Sequence, residues 1–215
     1  EERSLLRDGN RLYDANKFSD AEVIYRKALE LDKGTLQGPF NLGDALYRQD
    51  RFDEAAEQYR AAAERAPDKD VKSQAMHNLG NALLRSKKYP ESIASYKEAL
   101  KLNPRSAEAE SNLGAALSCL GQSDAAIGHL RAAARLAPEN PSAHYNLGNN
   151  YSALGENQEA IESYKQAIRI KFDYAEAHLN LGAAYNRMAR YEEAIESYRR
   201  AIRNKPGLAE AHYDL

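Results

Sequence analysis

Apolar residues recur along this chain at i, i+3 and i+4, the spacing of helices that bury one face, and the runs are separated by short polar stretches. The runs are themselves periodic. Asn-Leu-Gly triplets stand at Asn41-Leu42-Gly43, Asn78-Leu79-Gly80, Asn112-Leu113-Gly114, Asn146-Leu147-Gly148 and Asn180-Leu181-Gly182. All but the first step are 34 residues, and the first is 37. This register divides the chain into repeats 2–35, 36–69, 73–106, 107–140, 141–174 and 175–208, with Asp70-Val71-Lys72 inserted after the second and a partial repeat at 209–215. Each repeat predicts two helices joined by a turn, and residues 1–215 read as a single array.

The eighth residue of every repeat is glycine: Gly9, Gly43, Gly80, Gly114, Gly148 and Gly182. A glycine inside a helix costs about 1 kcal/mol relative to alanine, so a packing need must offset it. Small residues follow twelve positions later (Ala21, Ala55, Ser92, Ala126, Ala160, Ala194) and nineteen positions later (Ala28, Ala62, Ala99, Ala133, Ala167, Ala201). The expectation is that small faces small and two antiparallel helices approach closely. Tyr25, Tyr59, Tyr96, Leu130, Tyr164 and Tyr198 on the second helices, with Leu12, Leu46, Leu83, Leu117, Tyr151 and Tyr185 on the first, fill the surrounding space. Pro67, Pro104, Pro138 and Pro206 end the repeats, where a missing N–H and a fixed φ stop a helix, and Pro90 sits in a tolerated first turn.

Leu-Gly followed by Tyr or Leu on the first helix, Ala, Tyr and Ala on the second, and Pro at the end resemble the tetratricopeptide (TPR) signature over residues 2–208. The resemblance implies an all-α fold, a right-handed superhelical TPR solenoid of antiparallel helix pairs. Some positions depart from it. Asp8 replaces the usual Leu, which implies a wet outer face, and Phe172 replaces the terminal Pro of the fifth repeat. Ser123 and Asn157 stand where other repeats have Phe or Tyr, so those turns should pack less well. The stretches from Glu2 to Leu6, Phe40 to Arg48, Asp68 to Lys72 and His77 to Asn81 resemble bacterial TPR proteins of the Bat (aerotolerance) group, which implies a von Willebrand A domain partner in the cell envelope. The later repeats resemble generic arrays like those of O-GlcNAc transferases.

The TPR resemblance also implies a concave groove lined by the first helices. On that face Asn41, Asn78, Asn112, Asn146 and Asn180 form a ladder. A carboxamide carries both a donor and an acceptor, as gripping the peptide groups of an extended chain requires. The same residues have a second reading, as braces between neighbouring loops. Phe40, Tyr47, Arg48, His77, Asn81, Leu84 and Arg85 complete the candidate groove, because aromatic and arginine side chains are the usual anchors. They point to ligands with apolar and some acidic side chains, bound mainly in the first half. For Tyr13 and Tyr47 packing between repeats competes with binding. Asn10 and Asn41 match the asparagines of TPR domains that clamp the carboxylate tails of Hsp70 and Hsp90. The basic positions of that clamp hold Leu6, Gln74 and Asn78, which argues against such a ligand.

Composition narrows the functions. Lys and Arg total 30 against 32 Asp and Glu, a net charge of -2 that provides no global attraction to nucleic acid or anionic lipid. Cys119 is the single cysteine, which excludes an internal disulfide and a cysteine-based zinc site. No apolar run reaches the length of a membrane span. His144, His178 and His212 recur at one position of successive repeats and read as packing residues, too far apart to share a metal. His129 lacks a partner on its own helix, and Glu192-Glu193 read as solvated surface. No cofactor or catalytic group is expected. The leading expectation is a protein-binding scaffold that is not an enzyme, in a bacterial cytoplasm or periplasm. The alternatives are a solenoid that self-associates end to end, starting from the partial repeat at Leu215, and the regulatory arm of a larger enzyme.

Overall fold

In the computed structural model, residues 1–31 and 37–207 are described, and all their regular structure is helical. His212 and the partial repeat at 209–215 lie outside the described residues. Two compact units divide at residue 105. The first holds α1 (Glu2–Asp14), α2 (Phe18–Leu31), α3 (Gln37–Arg48), α4 (Phe52–Glu64), α5 (Lys69–Arg85) and α6 (Tyr89–Leu102). The second holds α7 (Ala107–Cys119), α8 (Ser123–Leu136), α9 (Pro141–Ala153), α10 (Asn157–Ile170), α11 (Ala175–Arg187) and α12 (Tyr191–Asn204). The three inserted residues lie within α5, which starts earlier in its repeat than the other first helices do. Asp68 caps that extension by accepting the Val71 N–H at 2.9 Å. The insertion therefore adds about one turn before the packing register begins.

Within each unit every helix packs on the next, and α1 also reaches α3, as α7 reaches α9 and α9 reaches α11. The second helices stand further apart and leave clefts between them. One cleft is lined by Arg26, Leu29, Leu42, Gln58 and Ala61, another by Ala63, Met76, Leu79, Leu83 and Ala94. Crowding the first helices while spreading the second curves each unit, with the first helices inside.

The glycines face something other than the expected small side chains. A Cβ on Gly80 or Gly148 would lie 2.6 Å from the ring of Tyr96 or Tyr164, and one on Gly114 would lie 2.6 Å from Leu130 Cγ. The glycine is a slot for the large residue sixteen positions later, which is fully buried: Tyr96 is 0 % and Tyr164 1 % exposed. The small residue twelve positions later completes the slot, and Ser92 Oγ donates to the Gly80 carbonyl at 2.9 Å.

Every turn between paired helices places one residue at positive φ: Asn16, Asp50, Lys87, Gly121, Gly155 and Ala189. Only Gly121 and Gly155 take that conformation without a steric cost. They occur in the two repeats where Ser123 and Asn157 replace the ring. On two of the rings an arginine of the following repeat is seated, Arg48 4.6 Å above Phe18 and Arg85 4.5 Å above Phe52. Arg187 has no such ring and donates to Ser152 Oγ at 2.6 Å. The first two repeats gain a further clamp. Glu22, 8 % exposed, accepts from Arg26 at 2.9 Å, Arg51 at 2.7 Å and Gln49 at 3.0 Å, which ties α2 to the turn between α3 and α4.

Candidate functional site

The first helices carry a polar seam along the inner face of each unit. Tyr25, Tyr96 and Tyr164 donate their hydroxyls to the side-chain oxygens of Asn10 (2.8 Å), Asn81 (2.6 Å) and Asn149 (2.9 Å), and Tyr59 donates to Asp44 (2.7 Å). Burial raises these hydroxyls, Tyr25 and Tyr164 to about 12, so they stay protonated donors at neutral pH. The partners lie fifteen residues apart. Where Leu130 replaces the tyrosine, Ala115 replaces the acceptor, but Tyr198 is kept with Ala183 at the acceptor position, so the sequence alone did not reveal the pairing.

The asparagine ladder joins this seam. Asn41 donates through Nδ2 to Asn10 Oδ1 at 2.9 Å, and Asn180 donates to Asn149 Oδ1 at 2.9 Å and to the Tyr145 hydroxyl at 3.1 Å. Each bond links one repeat to the one before. Asn41 and Asn180 thus brace neighbouring repeats while remaining half-buried on the inner face. Asn78 and Asn146 are half-buried there too, and their side-chain amides bond to no protein group among the described residues. Asn112 is likewise half-buried, on α7.

The aromatic candidates are set into the packing. Phe40 lies edge-on to Tyr59 with centroids 5.9 Å apart, Tyr47 edge-on to Phe52 at 5.2 Å, and His77 tilted against Tyr96 at 5.7 Å. Tyr13 meets Phe18 at 5.2 Å. Packing between neighbouring elements, which competed with binding for Tyr13 and Tyr47, accounts for one face of each ring. Arg48 is seated on Phe18, and Arg85 divides itself between Phe52 and Asp50, 3.4 Å away. Leu84 is half-buried beside Arg85 on α5. Sequence reasoning missed Asp44. With Asn10, Tyr13, Asp14, Tyr25 and Asn41 it lines a cavity of about 200 Å³ on the inner face of the first unit. Burial raises the Asp44 carboxyl, and the bond from Tyr59 partly opposes that rise.

The histidines have local roles. His178, 2 % exposed, bonds through Nε2 to the Phe172 carbonyl at 3.0 Å, and His144 bonds in the same way to the Pro138 carbonyl at 3.0 Å. His129 has a partner that its own helix did not reveal, Glu110 on α7 at 2.7 Å. Phe172, in place of proline, is 70 % exposed and supplies the carbonyl that holds His178. Among the described residues no group of three histidine, cysteine or acidic side chains is placed to hold a metal ion, and no helix is long and apolar enough to cross a membrane.

Comparison with known proteins follows the same pattern. Family models described as "Tetratricopeptide repeat" match residues 35–105, 77–141 and 175–208, and one described as "TPR repeat" matches residues 148–188. Among solved structures, YrrB, described as a TPR protein with an unusual peptide-binding site, is 23 % identical with a TM-score of 0.71, over 88 % of this chain and 96 % of its own. MamA is 28 % identical with a TM-score of 0.71, over 79 % of this chain and 97 % of its own. The pilF protein of Pseudomonas aeruginosa is 20 % identical with a TM-score of 0.79, over 99 % and 95 %. No curated protein matches the chain. These matches carry the repeat, and none of them carries the expected likeness of the first half to the Bat group. With the helix pairs and the glycine slots, they establish that this chain is a protein of tetratricopeptide repeats, a fold that serves as a scaffold for protein–protein interaction.

Proposed function

We propose that this chain is a non-enzymatic scaffold that holds extended segments of a partner protein on the inner face of the first helices within each unit. The observation that carries the reading is the state of the asparagine ladder. Asn41 and Asn180 use donors to join repeats, whereas Asn78 and Asn146 sit at the equivalent position with their amides uncommitted among the described residues. A carboxamide that the fold can leave unpaired at a half-buried inner position is free to pair with a peptide group. Seating Arg48 and Arg85 on rings lowers the entropy that these side chains would lose on binding. YrrB, of similar fold, is described as having a peptide-binding site, which supports the class of ligand.

The test is partner capture from cell extract with the wild-type chain and with an Asn78→Ala, Asn146→Ala double variant, read by mass spectrometry. Neither amide braces the fold, so the variant should keep its melting temperature and lose affinity for the captured partner about tenfold or more. Unchanged capture would sink the groove reading. The likeness of the first half to the Bat group makes a von Willebrand A domain the first defined partner to try.

A further inference from the structure

The four tyrosine–acceptor pairs differ in one respect. Asn10, Asn81 and Asn149 do the same structural work as Asp44 with a neutral carboxamide. Accepting a tyrosine hydroxyl therefore needs no charge at this position. A carboxylate there brings a desolvation cost that the sister repeats avoid. Among the described residues no cation lies within ion-pair distance of Asp44. Arg48, one turn further along α3, is turned onto the Phe18 ring. The charge has no role in the fold, and it faces the cavity of about 200 Å³ that Asn10, Tyr13, Asp14, Tyr25 and Asn41 also line.

We propose that this cavity is a subsite for the basic side chain of a bound protein segment, with Asp44 as the carboxylate that receives the ammonium or guanidinium group. The proposal rests on the groove reading above and adds to it the chemistry of one ligand residue. Tyr59 occupies one oxygen of Asp44 and leaves the carboxylate further lone pairs for the ligand. Asp14 adds a second negative charge at the exposed rim. The side-chain oxygen of Asn41 is a further acceptor, because its bond to Asn10 uses Nδ2. Tyr13 supplies a ring wall along which the apolar stem of a lysine or arginine can lie. Carboxylate and cation in a partly desolvated cavity form the stronger, charge-assisted kind of hydrogen bond. The preference is the reverse of the acidic ligand that Arg48 and Arg85 imply when read from sequence.

The test uses the full chain, labelled for NMR, and two capped alanine pentapeptides, one with a central lysine and one with a central norleucine. The lysine peptide should move the side-chain amide signals of Asn10 and Asn41, and the norleucine peptide should not. Asp44→Asn should weaken the lysine peptide by roughly ten- to hundredfold. Its melting temperature should stay unchanged, because asparagine already fills this role beside Tyr96 and Tyr164. Asp14→Asn, at an exposed site, should weaken the same peptide by a smaller factor. Equal binding of the lysine peptide to wild type and to Asp44→Asn overturns the subsite. Equal shifts from both peptides overturn it too, while leaving the groove reading in place. Silence from both at about 10 mM also overturns it, and the groove is then judged by the Asn78 and Asn146 variants alone.

Discussion

Gly80 and Tyr96 act as a single packing unit. The ring, 0 % exposed, fills the space a side chain at Gly80 would occupy, and its hydroxyl is held by Asn81 next door. Three constraints, the slot, the ring and the acceptor, meet within one helix pair, and the same set recurs at Gly9, Gly43 and Gly148. Because the ring is held at both ends, it cannot step aside for a methyl group. Gly80→Ala is expected to destabilise the chain by about 2 kcal/mol despite the gain in helix propensity, lowering the melting temperature by about 5 °C. Gly128 is the contrasting case. It lies exposed within α8, and nothing approaches within 4 Å of the position its Cβ would take. Gly128→Ala should raise stability by up to about 1 kcal/mol. Thermal melts of the two variants followed by circular dichroism check both signs, and a Gly80→Ala variant as stable as wild type would dismiss the slot.

Between elements, the clamp centred on Glu22 joins the first helix pair to the second. Burial raises the Glu22 carboxyl, but the hydrogen bonds from Gln49, Arg26 and Arg51 outweigh it, and the net shift is downward from the ordinary 4.5. A carboxylate whose folded pKa is depressed contributes stability that is fully present above the unfolded value and is lost as pH falls through the folded one. The contact between the first two repeats should therefore weaken as pH drops below about 4.5, and Glu22→Gln should remove that part of the dependence. The substitution leaves Arg51 with Glu54 as its carboxylate partner and costs about 2 kcal/mol at neutral pH. Urea titrations of both proteins at pH 7 and near pH 3.5 make the comparison. A wild type and variant with parallel pH profiles would remove the clamp from the account.

Within each unit the described helices pack mainly on their sequence neighbours, with smaller contacts of α1 with α3, α7 with α9 and α9 with α11. Such connectivity makes stability a sum of local terms, and a defect spreads no further than the contacts that carry it. Gly148→Ala, which drives a methyl into the ring of Tyr164, should speed amide exchange in α9 to α12 and leave α1 to α4 at wild-type rates. Hydrogen exchange read by mass spectrometry resolves the two regions. Uniform loss of protection across all helices would mean that the chain unfolds as one cooperative body.

The helix pairs, their phase and the turns were legible in the amino-acid sequence, because a 34-residue period of glycine, alanine, tyrosine and proline is imposed by local packing that repeats six times. What each glycine faces was not legible. Gly-to-Ala and Gly-to-Tyr opposition predict the same periodicity, and only the path of the second helix, which brings Tyr96 and Tyr164 onto Gly80 and Gly148, separates them. The asparagine ladder was visible as a row, but its division into Asn41 and Asn180, which brace, and Asn78 and Asn146, which do not, depends on side-chain geometry between repeats. Asp44 passed unnoticed for a related reason. Its meaning lies in standing beside Tyr59 where three sister repeats have asparagine, and that comparison becomes physical only once the hydroxyl, the carboxylate and the cavity are seen together. Periodicity in the chain specifies which residues share a helix face, whereas hydrogen bonds and cavities arise from distances between helices, which packing sets.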